Sequence, residues 1–335
     1  MGWGRVWRGT LAAMAVGLAM PAHSQTSAPA PHLADPLFDP AADAATRAHV
    51  DPLSVDTADF ARARDPEQWR GLTVERIGLI DGAIGWRLWR IANRTRLSGP
   101  LWVIPHDDEN ASFAAALIAV RGWGGVVMAV DAGARDGGYA ARFNQQGGAG
   151  PAVDPNRVFG SAQPAYTAAM LADRATANRL VVALHANARG YDPALPRCPG
   201  EPLVERGSGD ISMALCTERM TPRRPHRRLW PFDDDDTLAL IPHLTASAQP
   251  SPSWCERRLA TANFNLVDEA VPFSDGSLSN YAALHGLAYV NFETRDRGND
   301  GAGLVEGRTR LIAMVDRAME LCAPIPRLEL RTRKR

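Results

Sequence analysis

A histidine and a glutamate stand three residues apart, directly after the apolar run "LWVI" at positions 101–104. On the tight turn that follows a strand, the imidazole of His106 and the carboxylate of Glu109 can converge on one point. A second apolar run, "LVVALHAN", can carry His185 to the same point. Two histidines and a glutamate, with one position left for water, form a common catalytic zinc set. The pattern indicates one Zn²⁺ per chain, and ordinary hydrogen-bonded turn residues are the alternative.

Two further acids, Asp107 and Asp108, lie between the proposed ligands. They could orient His106 by hydrogen bonding, as carboxylates commonly do behind a metal-binding histidine. They could equally be solvated turn residues that favour the start of the next helix.

Two other short stretches carry residues suited to catalysis or binding. In "DPNRVF", Asn156 and Arg157 match the planar geometry of a carboxylate, although a surface salt bridge is the alternative. In "NFETRDRG", Glu293 ends an apolar strand and near a zinc-bound water could act as a general base. Its alternative is an acid paired with Arg295 or Arg297.

Apolar strands alternate with helical segments along most of the chain. Strands are predicted at "VERIGLI" and "GWRLWRIA", which are joined as a hairpin, and at "LWVIP", "GVVMAV", "LVVALHAN" and "LAYVNFE". Helices are predicted at "ASFAAALIAVRG", "AYTAAMLADRATA" and "GLVEGRTRLIAMVDRAMELC". This alternation predicts an α/β fold: a mixed, largely parallel twisted sheet covered by helices on both faces. The proposed zinc site would lie at the carboxyl ends of its strands.

The composition is that of a globular protein with formal net charge +0, which gives no indication of nucleic-acid binding. Residues 1–24 have the pattern of a signal peptide cleaved after Ser24, so we expect a periplasmic or secreted protein without stable membrane insertion. An uncleaved membrane anchor is the alternative. Residues 25–73 are expected to be an arm or linker and 74–325 the catalytic domain, with an irregular insertion at about 188–253. Residues 326–335 form a basic tail.

Export favours disulfides among the four cysteines. Three connectivities are possible, and we favour Cys198–Cys216 together with Cys255–Cys322.

The order of the motifs resembles the M14 zinc carboxypeptidase family: HxxE, then D-x-N-R-x-F, then an apolar strand into "LH", then "FETRD". The resemblance runs from about Val74 to Cys322 and is firm only at the motifs. It implies zinc on His106, Glu109 and His185, and Glu293 as general base. It also implies that Asn156 and Arg157 hold the terminal carboxylate of the substrate.

Two other family residues are matched less closely. The arginine that polarises the scissile carbonyl corresponds to Arg142 or Arg135, and we favour Arg142. The mobile tyrosine before the general base has Tyr281 as its nearby candidate, at a spacing shorter than in the family.

The resemblance implies a metallocarboxypeptidase-like hydrolase acting on a peptide with a free carboxylate, and the exported location suggests murein peptides. The related succinylglutamate desuccinylase and aspartoacylase branch shares the zinc set, so deacylation of acylamino acids is the first alternative. A non-catalytic binding module of the same fold and a metal-free structural protein are the others. The sequence does not indicate an oligomeric state.

Overall fold

A mixed sheet organises the part of the chain that the computed structural model describes. The described residues are 45–133, 141–144, 152–174, 180–187, 220–223, 227, 229–234, 236–245, 255–323 and 325–328. They fall within one compact unit, Pro31–Arg335. The strands among them are β1 (Thr46–His49), β2 (Leu72–Asp81), β3 (Ile84–Asn93), β4 (Leu101–Ile104), β5 (Val126–Val130), β6 (Leu180–Asn187), β7 (Met220–Arg223), β8 (Leu238–Leu244), β9 (Leu266–Val271) and β10 (Ala288–Arg295). The helices are α1 (Ala58–Ala61), α2 (Asn110–Trp123), α3 (Pro164–Leu171), α4 (Glu256–Thr261), α5 (Leu278–Leu284) and α6 (Gly301–Cys322).

The described strands form one sheet in the order β1-β2-β3-β5-β4-β6-β10-β8-β9-β7. Its centre, β5-β4-β6-β10, is parallel, whereas β1, β2 and β3 extend one side as antiparallel strands. On the other side β8 is antiparallel to β10 and parallel to β9. The four central strands therefore end at the same edge of the sheet, where ligands bind in α/β proteins.

Helices cover both faces of this sheet. One apolar layer joins the sheet to α2 and α6 and includes Phe113 and Leu311. The other joins it to α3 and α5 and includes Tyr166 and Leu278. The predicted fold class, a mixed sheet with helices on both faces, is confirmed, and its parallel part is the central four strands.

The element that follows the HxxE turn is α2, and its sequence favours a helix. Glu109 occupies the position before its first residue, and a run rich in alanine and apolar residues follows. The helix ends at Gly124, which has φ +80°, a conformation that L side chains rarely adopt.

The predicted hairpin is formed by β2 and β3. Asp81 pairs with Ile84, so the loop is Gly82 and Ala83, and Gly82 has φ +59°. A two-residue loop with positive φ is the turn that matches the twist of paired strands.

The fold begins earlier in the chain than the predicted start at residue 74. Within the predicted arm, β1 pairs with β2, and Phe60 and Trp69 are 0% and 6% exposed in the apolar layer under α2. The sequence did not indicate that these aromatic residues are buried, because they are isolated in an Ala- and Pro-rich segment and show no regular period.

The segment 188–253 also contains regular structure. Strands β7 and β8 lie within it, and Leu238–Leu240 pair with β10 at the centre of the sheet. Pro242 interrupts the apolar run of β8, but it lies beyond the residues that pair with β10. The N–H that Pro242 lacks therefore removes no hydrogen bond between β8 and β10.

The predicted Cys255–Cys322 disulfide is present, with a Cα–Cα distance of 5.4 Å, and connects the start of α4 to the end of α6. The predicted Cys198–Cys216 pair, the signal peptide with Ser24, and residues 329–335 of the tail lie outside the described residues. Among the described residues no helix is long and apolar enough to cross a membrane.

Candidate metal centre

His106, Glu109 and His185 meet at one buried point. Nδ1 of His106 lies 2.7 Å from Oε1 of Glu109, and Nδ1 of His185 lies 3.2 Å from Oε2 of the same carboxylate. The three side chains are at most 6% exposed. Each offers a ligand atom, and these atoms lie within 4.8 Å of one another.

The elements explain why these residues meet. His106 and Glu109 lie on the turn between β4 and α2, in which the N–H of Glu109 donates to the carbonyl of His106. Strands β4 and β6 are parallel neighbours, and Val103 pairs with Ala183. Two residues further along in the direction of both strands, His185 therefore lies level with Pro105 and next to His106.

The donor set fits a zinc ion. Ligand atoms around a tetrahedral zinc are separated by about 3.3 Å, because zinc–nitrogen and zinc–oxygen bonds are about 2.0–2.2 Å long. The observed separations of 2.7 and 3.2 Å between imidazole and carboxylate are close to that value. Nε2 of His185 is buried and has no hydrogen-bond partner among the described residues, and Nδ1 faces Glu109. Among those residues, neither ring nitrogen is bonded to a group outside the candidate site.

Asp154 orients His106. Its Oδ1 lies 3.0 Å from Nε2 of His106 and also accepts a hydrogen bond from the backbone N–H of Asn156. A carboxylate at Nε2 keeps the proton there and leaves Nδ1 free to bind a metal. Asp154 was not among the predicted site residues, although an acid two residues before Asn156 in "DPNRVF" was the available signal.

The two acids between the predicted ligands do not orient His106. Asp107 is 7% exposed, and its Oδ2 accepts a hydrogen bond from the N–H of Ala132. Burial, together with Asp59 and Asp131, raises the pKa of Asp107 to about 9. Asp108 lies 3.7 Å from Nη1 of Arg142. Asp107 is thus neither a partner of His106 nor a solvated turn residue.

Glu293 lies on β10 directly beside the metal centre. It pairs in register with His185 on β6 and is 9% exposed. Its Oε1 accepts a hydrogen bond of 2.7 Å from Nδ2 of Asn291, a second residue that the sequence analysis missed. The signal was the period of the strand, because residues two apart point to the same face.

The arginines after Glu293 have other partners. Arg295 lies 3.6 Å from Asp236, and Arg297 pairs with Asp234. The structure therefore does not show the alternative pairing of Glu293 with Arg295 or Arg297.

Arg142 lies at the metal centre. Its Nη1 donates a hydrogen bond of 2.9 Å to Oε1 of Glu109, and its side chain is 42% exposed. Arg135, the other predicted candidate, lies outside the described residues.

Asn156 and Arg157 follow Asp154 in a short 3₁₀ turn, Pro155–Arg157. Oδ1 of Asn156 accepts a hydrogen bond from the N–H of Leu278 at the start of α5. Gly276 lies directly against this turn, and a Cβ there would collide with the carbonyl oxygen of Arg157. The guanidinium of Arg157 is exposed and forms no ion pair among the described residues, so the salt-bridge alternative is not observed.

Tyr281 lies on α5 and is 2% exposed. Its ring stacks on His285 at 4.0 Å and packs against Phe159 within the apolar layer. A helical and buried position is that of a packing residue, unlike the mobile residue that the resemblance implied.

Burial and neighbouring charges shift the pKa values of the side chains at the candidate metal centre in different directions. Burial alone would raise the pKa of Glu109, but His185 and His106 hold it well below the usual range. Burial alone would lower the pKa of His106, but Glu109 and Asp154 raise it to about 9. Burial raises the pKa of Glu293, and the negative charge of Glu109 adds to this effect. A carboxyl with a raised pKa beside a metal site is suited to proton transfer.

No protein-family model matches the chain, and no curated protein sequence matches it. Several solved structures are similar to it at low identity. A presumed metallopeptidase from Shewanella denitrificans is 13% identical with a TM-score of 0.43, over 84% of this chain and 97% of that one. Succinylglutamate desuccinylase from Chromobacterium violaceum is 14% identical with a TM-score of 0.38, over 74% and 70%. Thrombin activatable fibrinolysis inhibitor is 11% identical with a TM-score of 0.41, over 79% and 74%. At these TM-scores the similarities carry no argument about activity.

Proposed function

We propose that the protein is a zinc-dependent hydrolase that cleaves an amide or peptide bond beside a free carboxylate. The observation that carries this proposal is the meeting of His106, Glu109 and His185, with Glu293 in register beside His185. A buried carboxylate next to a histidine–glutamate–histidine set is an arrangement suited to amide hydrolysis by a metal-activated water.

The three residues would hold the zinc ion, one per chain. When bound, zinc supplies a Lewis acid that lowers the pKa of water and polarises a carbonyl. Asp154 keeps His106 in the ring orientation that presents Nδ1 to the ion.

Glu293 acts as the general base. Its carboxylate takes a proton from the attacking water and then donates it to the leaving amine nitrogen. Asn291 holds Oε1 through its amide N–H, so the other oxygen, Oε2, is left for the proton. Burial raises the pKa of Glu293, which makes its carboxylate a stronger base towards the attacking water.

Two arginines have separate roles in this mechanism. Arg142 lies against Glu109 and supplies positive charge where the carbonyl oxygen becomes negative, the kind of stabilisation that is often the largest contribution to acyl transfer. Arg157, which is exposed and has no acidic partner among the described residues, binds the free carboxylate of the substrate together with Asn156.

The substrate class follows from the predicted export of the chain. Murein stem peptides end in free carboxylates and lie in the periplasm, so we propose them as substrates. Defined stem peptides, digested and weighed by mass spectrometry, test this; an untouched panel would count against it. Product from an acylated single amino acid, but not from any peptide, would instead support deacylation.

The proposed function is tested by metal content and one substitution. Elemental mass spectrometry of the mature protein should find about one zinc per chain, and none in His106→Ala. Glu293→Gln should keep zinc and fold but reduce turnover by several orders of magnitude. A well-folded protein that takes up no zinc when zinc is offered would remove the basis of the proposal. Near-normal turnover by Glu293→Gln would remove the assigned base.

A further inference from the structure

A second cavity lies away from the metal centre, among three helices. It is bounded by α1 and the residues after it, by α2 from its first residue to its last turn, and by the start of α6. Its volume is about 70 Å³, which is space for about five water molecules or one small organic anion. None of His106, Glu109, His185 and Glu293 lines it.

The polar lining of this cavity is strongly positive. Three arginines, Arg62, Arg121 and Arg308, line it, whereas its acidic lining among the described residues is Asp59 alone. Arg62 donates to the carbonyl of Ala58, and within the described residues none of the three guanidinium groups forms an ion pair at salt-bridge distance. Three positive charges around one cavity repel each other, and an anion bound between them would offset that repulsion.

Arg121 shows this incomplete pairing most directly. Its Nε is buried and has no hydrogen-bond partner among the described residues. Burial lowers the pKa of Arg121, and the acids that oppose this effect, Glu67 and Asp65, do not line the cavity. A guanidinium remains charged in proteins, so a buried N–H on it has a strong requirement for an acceptor.

Apart from Gln68 and Asn110, the remaining lining is apolar. Phe113 and Leu117 of α2 are 2% and 5% exposed, and Leu304 of α6 is 9% exposed. A fully hydrated inorganic ion gains nothing from such a wall, whereas a ligand with an apolar group buries it there.

We propose that this three-arginine cavity binds a small organic anion, one that carries a carboxylate or phosphate group on a short apolar substituent. The oxyanion accepts hydrogen bonds from Arg121 and its neighbouring arginines, and the substituent packs on Phe113, Leu117 and Leu304. This site is separate from the metal centre, and the inference does not depend on the proposed function.

Asp59 does not cancel the positive charge. It is 8% exposed, and its Oδ1 accepts a hydrogen bond of 2.6 Å from Asn110. Burial, despite that hydrogen bond and the charge of Arg62, raises the pKa of Asp59 to about 7. The raised pKa weakens the negative charge that Asp59 can place against the three arginines.

The test is calorimetric titration of the full-length mature, zinc-loaded protein with four probes. Propionate and methyl phosphate have both features of the proposed ligand and are small enough for the cavity, propionamide lacks the charge, and inorganic phosphate lacks the apolar group. We expect saturable binding of one or both of the first two, and binding of the last two at least about tenfold weaker.

Three variants locate the binding. Arg121→Gln should weaken it about 10- to 100-fold, as expected for loss of a charged hydrogen bond. Ala114→Phe fills the cavity without changing charge and should abolish it. Arg317→Gln, an exposed arginine on α6 outside the cavity, is the matched control and should bind as the wild type does. Thermal unfolding of each variant excludes a general loss of structure.

Three outcomes would overturn the proposal. No saturable binding of propionate or methyl phosphate in the millimolar range would do so directly. Binding that persists in both Arg121→Gln and Ala114→Phe but disappears with the zinc would place the anion at the metal centre. Equal binding of inorganic phosphate and methyl phosphate, unaffected by Ala114→Phe, would indicate an adventitious ion only.

Discussion

Oδ1 of Asp154 lies 3.0 Å from Nε2 of His106, although 48 residues separate the two in the chain. This contact decides which ring nitrogen of His106 faces Glu109 and a metal ion. It also connects the turn that carries the metal ligands to the turn that carries Asn156 and Arg157. The metal centre and the proposed carboxylate-binding pair are therefore held in one arrangement by a single side chain.

Removal of the Asp154 carboxylate should weaken zinc binding. We expect Asp154→Ala to reduce zinc affinity about 10- to 100-fold, the usual effect of losing a partner behind a metal-binding histidine. Asp154→Asn should lose less, because its amide oxygen can still accept from Nε2 and from the N–H of Asn156. Competition with a zinc chelator measures the affinities, and Asp108→Asn is the control. Equal affinity in Asp154→Ala and the wild type would show that His106 does not need this partner.

Loss of the Asn291 amide should affect catalysis more than substrate binding. Its hydrogen bond to Oε1 holds the carboxylate of Glu293. A hydrogen bond to a charged group is worth about 1.5–3 kcal/mol, so Asn291→Ala should lower kcat about 10- to 100-fold with little change in KM. Steady-state kinetics on a cleaved peptide measures both constants. A raised KM with normal kcat would instead place Asn291 among the substrate contacts.

Arg157 should matter only for substrates with a free carboxylate. Arg157→Gln should raise KM about 10- to 100-fold for such a peptide, because a charge-assisted pair is lost. The same peptide with an amidated terminus is the internal control, since it has no carboxylate to bind. An equal effect of the substitution on both peptides would contradict the assigned role.

Glu269 should make folding stability depend on pH. Burial raises its pKa from 4.5 to about 7, although Ser279 and Asn280 donate hydrogen bonds that oppose the shift. Because the folded state holds this proton more tightly than the unfolded state, the contribution of Glu269 to stability is fully present below about pH 4.5 and is lost as the pH rises to about 7.

The Glu269→Gln side chain cannot ionise, so the variant should not lose stability as the pH rises. Its amide oxygen can still accept the hydrogen bond from Asn280. At pH 8 we expect the variant to be about 1–3 kcal/mol more stable than the wild type, and at pH 4 about equally stable. Urea unfolding at both pH values measures the difference. A variant less stable than the wild type at pH 8 would show that the ionised carboxylate is stabilised by its surroundings.

The Cys255–Cys322 disulfide should stabilise the fold, because it joins residues separated by 67 positions. Replacement of both cysteines by serine should lower the free energy of unfolding by about 2–4 kcal/mol. Urea unfolding of the variant and the wild type tests this, and the same experiment with reductant on the variant gives the contribution of any other disulfide. An unchanged free energy would mean that the bond does not constrain the unfolded chain.

Short sequence patterns predicted the strands and helices whose own residues show a clear apolar run or period. The apolar runs of β4, β5, β6 and β10 and the helical periods of α2 and α6 lie where they were expected. The same is true of the three residues that could hold a metal ion, since the HxxE turn and the histidine near the end of β6 are each short and self-contained. Residue type and spacing suffice where the chemistry is carried by neighbours in the chain.

Pairing over long distances was decided only by the tertiary structure. The choice of Asp154 rather than Asp107 as the partner of His106 depends on how a distant turn packs on the end of β4. The inclusion of β1, α1 and β8 in the fold depends on contacts with strands and helices elsewhere in the chain. Tyr281 has a residue type suited to substrate contact, yet α5 places it in the core. A linear pattern records which groups are available, whereas burial and hydrogen bonding between distant segments select which of them meet.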